Sequence, residues 1–179
     1  MQWNAESLSP GVAWSRRDEI ADIYRLAFDS TVEAAQGFID VSFAHICDYE
    51  GSQLLMVEES GTILGFLYGY TYKPDQWWST QVGPAIAASD HAHVTDSAFS
   101  LVELAVLPVN QNHGVGTALL QYQMAYQPQQ HLLLSTGASA ENRAIALYER
   151  LGFTIILPFF TYSEHTPAAH IMRAIARPN

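Results

Sequence analysis

The chain predicts an α/β domain built on a mixed sheet, and three observations carry that prediction. Apolar residues recur at helical spacing near the N-terminus. Apolar runs bounded by turn residues follow, as strands do. The C-terminal half then alternates the two patterns and reads β-α-β-α-β-β. With 179 residues, 49% apolar and 15% charged, the chain suits one domain over 1–179 with a core of its own.

The elements follow in order. Ser9-Pro10-Gly11 is a turn signal, and residues 11–14 are expected to form a short first strand. Residues 18–28 read as a helix, because Ile20, Ile23, Tyr24, Ala27 and Phe28 make one apolar stripe. A second helix is expected from Thr31 to about Cys47, with Phe38, Val41 and Ile46 turned inward. Residues 53–58 and 62–72 read as a hairpin around Glu59-Ser60-Gly61. Residues 73–97 break the pattern and read as a long functional loop. Residues 98–107 form a strong strand closed by Pro108, and residues 114–126 a helix. A buried strand over 131–136, a helix over 141–151 ending at Gly152, and strands over 153–157 and 169–175 complete the chain.

Charge narrows the function classes. Eight Lys and Arg face eighteen Asp and Glu, a formal charge of −10. Such a surface repels nucleic acid and favours a cationic partner such as an amine, or serves solubility alone. The single cysteine, Cys47, excludes an intramolecular disulfide and reads as an inert core thiol. The first residues lack the basic-then-apolar pattern of a secretory signal, and no apolar run is long enough to span a membrane. A cytoplasmic protein with no membrane partner is the expectation.

The stretch that carries chemistry is Leu104-Ala105-Val106-Leu107-Pro108-Val109-Asn110-Gln111-Asn112-His113-Gly114-Val115-Gly116-Thr117. It reads as strand, short polar loop, then glycines opening a helix. Backbone N–H groups of a helix's first turn lack internal partners, and the helix dipole adds to them, so the turn suits an anion. Glycine lets a phosphate approach closely. A plain strand-to-helix turn has the same pattern. The third glycine of a dinucleotide fingerprint and the Gly-Lys-Ser/Thr of a P-loop are both missing.

A second block decides between these readings. Gln111-Asn112-His113-Gly114-Val115-Gly116 follows the strand Glu103-Leu104-Ala105-Val106. Downstream comes Asn142-Arg143-Ala144-Ile145-Ala146-Leu147-Tyr148-Glu149-Arg150-Leu151-Gly152-Phe153. Together, in this order and spacing, they resemble the GNAT superfamily of acyl-CoA-dependent N-acetyltransferases. The resemblance is firm over residues 100–157. It implies a GNAT-like fold, a mixed sheet of about six to seven strands flanked by about four helices. It also implies that the fourth and fifth strands splay, and that acetyl-CoA is the co-substrate. Its pantetheine arm would run beside Leu104, Ala105 and Val106, and its pyrophosphate would be held by Gln111, Asn112, His113, Gly114, Val115, Gly116 and Thr117. Asn142 would lie near the arm on the far side. The family often has Arg where this chain has Gln111, so backbone dipoles would do most of the phosphate binding.

Acyl transfer to an amine needs a base, a stabilised carbonyl oxygen and an acid for the departing thiolate. The resemblance makes Tyr148 the candidate acid; a phenol and a thiol differ by only about 1.5 pKa units. A tyrosine packed on the sheet is the plain alternative. Glu103 is the candidate base, since a carboxylate inside an apolar strand is costly unless paired or functional. Strict alternation puts Leu101, Glu103, Ala105 and Leu107 on one face. Holding the substrate's positive charge is an equal reading for Glu103. The oxyanion would meet the Leu104 or Ala105 N–H at a bulge.

His91-x-His93 lacks a third ligand, so surface histidines and no metal are expected. Trp77-Trp78 and Tyr68, Tyr70 and Tyr72 suit either an acceptor wall or plain packing. The leading expectation is direct acetyl transfer to a primary amine of a small or cationic acceptor, a small molecule before a protein. A non-catalytic acyl-CoA sensor and a protein N-terminal or lysine acetyltransferase are the alternatives. Edge strands near the C-terminus make a homodimer plausible.

Overall fold

The computed structural model describes residues 3–176; the first two residues of the N-terminal stretch read above lie outside them. Seven strands form one mixed sheet: β1 (Glu6–Leu8), β2 (Gln53–Glu59), β3 (Thr62–Thr71), β4 (Ala98–Val106), β5 (His131–Gly137), β6 (Thr154–Phe160) and β7 (Ala169–Ile175). Their order is β1-β2-β3-β4-β5-β7-β6. Six α-helices occur among the described residues. The longer four are α2 (Arg17–Ala27), α4 (Trp77–Ala87), α5 (Val115–Tyr126) and α6 (Arg143–Arg150); α1 (Pro10–Ser15) and α3 (Val32–Gly37) are single short turns. The chain divides into two compact units, residues 1–70 with 101–123 and residues 71–100 with 124–179.

In the first unit β1, β2 and β3 run antiparallel. Glu59 pairs with Thr62 around Ser60 and Gly61, whose φ values of 52° and 83° are those of a two-residue hairpin turn. The expected strand over 11–14 is instead helix α1: Pro10 takes its first turn, where a missing N–H costs nothing. The second helix is also shorter than its stripe suggested. Thr31 caps α3 by accepting from the Ala34 N–H at 3.1 Å, and a π-helical turn (Phe38–Ser42) and a 3₁₀ turn (Phe43–Cys47) follow. The wider π turn rotates the inward set. Phe38, Ile39, Phe43 and Ile46 are buried, whereas Val41 is 70% exposed and Cys47 is an exposed thiol rather than a core one. Tyr68 and Tyr70 lie in this unit's core with Ile20, Phe38, Leu54 and Phe66, so they serve as packing.

In the second unit the parallel β4–β5 ladder has three residue pairs, Ala98–His131 to Ser100–Leu133, whereas the antiparallel β5–β7 ladder runs from His131–Ile175 to Gly137–Ala169. The expected loop over 73–97 is mostly helical, holding α4 and a 3₁₀ turn (Ala92–Ser97). Buried Gln76 secures the entry to α4: its Nε2 donates to Thr71 O and its Oε1 accepts from the Lys73 N–H, both at 2.9 Å. Val82 and Ile86 of α4 pack on Tyr72, Leu133 and Ile171. Gly83 and Pro84, poor helix formers, hid this helix in the sequence.

Candidate active site

The backbone of β4 is irregular where the chemistry was expected. Tyr72 N–H donates to Ala98 O, and Leu107 N–H to Leu64 O, both at 2.9 Å. Eight steps along β3, from Leu64 to Tyr72, thus face nine along β4, from Ala98 to Leu107. A regular antiparallel ladder keeps these equal, so β4 carries one extra residue, a β-bulge. Two further contacts locate it. A Cβ on Gly65 would stand 2.8 Å from Ala105 O, so that carbonyl leans out of the sheet plane. Val102 and Ala105 also pack on one cluster, although strict alternation separates them. The even alternation expected through residues 101–107 therefore does not hold.

Glu103 sits at this irregularity. The residue keeps partial solvent access, yet its carboxyl lies deep among protein atoms, which describes a recess. Burial disfavours the charged form and pushes the carboxyl up to about 7, partly offset by the Leu104 backbone N–H, which donates to it. Its charge in turn adds to burial in raising the Tyr24 phenol of α2. Tyr24 stacks on Phe38 with centroids 4.6 Å apart and planes 6° apart, and touches Phe28 at 4.9 Å.

Beyond β4 a 3₁₀ turn (Pro108–Asn110) leads into the loop of Gln111, Asn112, His113 and Gly114, all four exposed, and then α5. Asn112 and Gly114 have φ of 61° and 91°, left-handed backbone that asparagine and glycine adopt more readily than other residues. Gln111 Nε2 returns to Val106 O at 3.1 Å, so this side chain braces the loop. Residue 3 was not foreseen: the Trp3 indole N–H donates to His113 O at 2.7 Å, and its ring stands 3.7 Å from where a Gly114 Cβ would be. A contact spanning 110 residues leaves no local trace in a sequence. Val115 is buried, and Gly116 and Thr117 are half-buried in the first turn of α5.

The loop suits an anion. Residues 104–140 contain no Asp, Glu, Lys or Arg in a chain with eighteen acids, so nothing there opposes the first-turn N–H groups. First unit residues Glu103, Leu104, Ala105, Val106, Gln111, Asn112, His113, Gly114, Val115, Gly116 and Thr117 thus follow one another along bulged strand, loop and helix start.

The second unit holds the other two predicted residues. Asn142 caps α6: its Oδ1 accepts from the Ala144 N–H at 3.1 Å. Its Nδ2 donates to Thr136 Oγ1 at 2.8 Å and Gly137 O at 2.7 Å, which ties α6 to the end of β5. Tyr148 is 7% exposed, packs on Phe153 at 5.5 Å, and accepts through its carbonyl from the Phe153 N–H. Trp78 donates its indole N–H to Tyr162 Oη, while Trp77, 68% exposed, stacks on the Tyr162 ring. Exposed His93 meets buried His131 edge-on at 6.0 Å, and no group of metal-ligating side chains occurs among the described residues. No helix among them is long and apolar enough to cross a membrane.

Comparison with known proteins bears on the family and the fold. The acetyltransferase (GNAT) domain family matches residues 50–155. A GCN5-like protein acetyltransferase of Mycobacterium tuberculosis is 40% identical over 117 residues, which are 62% of this chain and 57% of that protein, so the chain spans little more than half its length. A GNAT-family acetyltransferase structure from Bacillus cereus covers 99% of both chains with a TM-score of 0.66 at 17% identity. The PaiA N-acetyltransferase of Thermoplasma acidophilum, solved with coenzyme A, has a TM-score of 0.62 at 12% identity over 98% of this chain and 99% of its own. The chain belongs to the GNAT family of acetyltransferases.

Proposed function

We propose that this protein transfers an acetyl group from acetyl-CoA directly to a primary amine. The observation that carries the reading is Glu103, a recessed carboxyl pushed up to about 7 beside a bulged strand that leads into an anion-suited loop. Acetyl-CoA supplies the activated acetyl group. Backbone N–H groups of Gly114, Val115, Gly116 and Thr117 receive its pyrophosphate, with Gln111, Asn112 and His113 shaping the loop. Backbone groups of Leu104, Ala105 and Val106 line the arm, as the resemblance of this strand to the family's implies. Asn142 fits a positioning role, because its amide is occupied within the protein.

Glu103 takes a proton from the ammonium, which near pH 7 is the form an alkyl amine brings. The nitrogen bonds to the acetyl carbon as the carbon–sulfur bond opens. Tyr148 gives a proton to the departing sulfur, the second proton shed by the acylated nitrogen passes to solvent, and solvent restores the Tyr148 proton. The Leu104 N–H already faces Glu103, so the Ala105 N–H is the donor offered to the acyl oxygen. No covalent enzyme intermediate is required, and a cytoplasmic setting fits such a substrate.

Calorimetric titration with acetyl-CoA and CoA tests the reading. Saturable one-site binding, weakened by Gly114→Val or Gly116→Val, is expected. An absence of binding at millimolar ligand would overturn it.

A further inference from the structure

The β4 residues beside Glu103 pack on an aromatic and aliphatic cluster of the first unit. Along α2 and the π turn, Phe28 is 47% exposed, and its ring is the outer member of a run that passes through half-buried Tyr24 to buried Phe38. Val102 and Ala105, one and two residues from Glu103 on β4, belong to or pack on the cluster that contains Phe38 and receives Tyr24. Carbon surface therefore leads from solvent towards the carboxyl.

The acids of α2 face basic partners on that helix or at its start: Glu19 pairs with Arg16 at 2.8 Å, and Asp18 and Asp22 stand 4.0 Å from Arg17 and Arg25. Three more acids follow α2 in the chain. Glu33 is fully exposed in the first turn of α3, where the backbone and Thr31 hold its carboxyl below the usual range. Asp40 accepts from Gln36 Nε2 at 2.8 Å. Asp29 is an exposed turn residue with φ of 48°. Burial, not a neighbouring acid, raises Glu103, so the inner end of the site presents one negative group. A second ammonium held within a few ångströms of the first would enter apolar surface without a counter-charge, which is unfavourable.

We infer that the acceptor is a primary amine on an apolar stem or ring, carrying a single positive charge, with Tyr24 and Phe28 receiving its carbon body and Glu103 its nitrogen. A lysine side chain and a free alkyl or arylalkyl amine share this chemistry. Polyamines and aminoglycosides, which the overall charge of −10 would favour, do not. The inference rests on the reading of Glu103 as the group that meets the amine.

The test is thiol release by the full chain with acetyl-CoA and five acceptors. Hexylamine, phenethylamine and Nα-acetyl-lysine methylamide form one set; spermidine and kanamycin form the other. The first set is expected to have kcat/KM about tenfold or more above the second. Preference for the lysine derivative over the free amines would assign a lysine source, and the reverse a free amine; both support the inference. Phe28→Ser is expected to lower kcat/KM about tenfold for the first set through KM, with Phe28→Leu restoring most of it and acetyl-CoA affinity unchanged. Higher kcat/KM for spermidine or kanamycin would overturn the inference, as would bound acetyl-CoA with no turnover of the first set. If the first set is preferred but Glu103→Gln leaves its turnover and pH profile intact, the base reading fails while the selectivity stands.

Discussion

The carbonyl oxygen of Ala105 lies 2.8 Å from the point where a Cβ on Gly65 would stand, and Val115 Cγ1 and Val106 Cγ2 lie at 3.0 and 3.1 Å from it. The first of these neighbours is backbone and cannot rotate away. Gly65 is therefore the residue that lets β4 bulge beside Glu103. Gly65→Ala is expected to destabilise the protein by about 1–3 kcal/mol, the usual cost of overpacking. Gly83 offers the control: its Cβ would meet the Tyr72 hydroxyl at 2.9 Å, the far end of a side chain that can shift. Alanine also favours a helix interior by about 1 kcal/mol, so Gly83→Ala is expected to be near neutral. Thermal unfolding of both variants checks the contrast.

Glu103 gives a pH dependence of determined sign. Its folded-state value, about 7, lies above the ordinary 4.5, so the native state holds this proton more tightly than the unfolded chain does. Its effect on stability is fully favourable below about 4.5 and is lost as pH rises towards 7. Glu103→Gln, neutral throughout, is expected to raise stability above pH 7 by about 1–3 kcal/mol, with partial exposure reducing the full shift. Turnover behaves oppositely. It rises as the base ionises near pH 7, and Glu103→Gln is expected to remove that limb and about 10²–10⁴ in rate. Denaturant midpoints and kcat/KM measured from pH 5 to 9 (a range set by about 2 units either side of 7) test both signs.

Trp3 holds the loop that precedes α5 through one indole hydrogen bond and one ring contact. Trp3→Phe keeps the contact and loses the bond, worth about 0.5–1.5 kcal/mol. Acetyl-CoA affinity is expected to fall about twofold to tenfold, and more in Trp3→Ala. Calorimetry against wild type reads the difference. Unchanged affinity in both variants would assign Trp3 a packing role only.

Asn142 makes three hydrogen bonds, and two of them need its amide hydrogens. Asn142→Asp keeps the cap acceptor but sets a carboxylate beside Gly137 O. It is expected to destabilise by about 1–3 kcal/mol, at least as much as Asn142→Ala, although Asp is ordinarily a good N-cap. Urea unfolding of the pair decides it, and an Asp variant of wild-type stability would refute the tie to β5.

Tyr148 is tested by removal of one oxygen. Its ring packs on Phe153, and phenylalanine preserves that contact. Tyr148→Phe is expected to lower kcat about 10²-fold or more while acetyl-CoA binding persists. An unchanged rate and pH profile would leave Tyr148 a packing residue.

Local patterns made much of this protein legible. The turn residues Ser60 and Gly61, the helical stripe of Ile20 and Ile23, and the loop from Gln111 to Gly116 are short-range features, because hydrogen bonding and side-chain spacing within one element set them. Two such blocks in order were enough to indicate the family. What the sequence determined alone was the kind of site: a polar, glycine-bearing loop after a strand that carries one acid. Tertiary structure decided the rest. The bulge that β4 makes against Gly65, the recess that raises Glu103 and the Trp3 brace on His113 depend on residues far apart in the chain. Burial and close approach are properties of neighbours in space, and no periodicity along the chain encodes them.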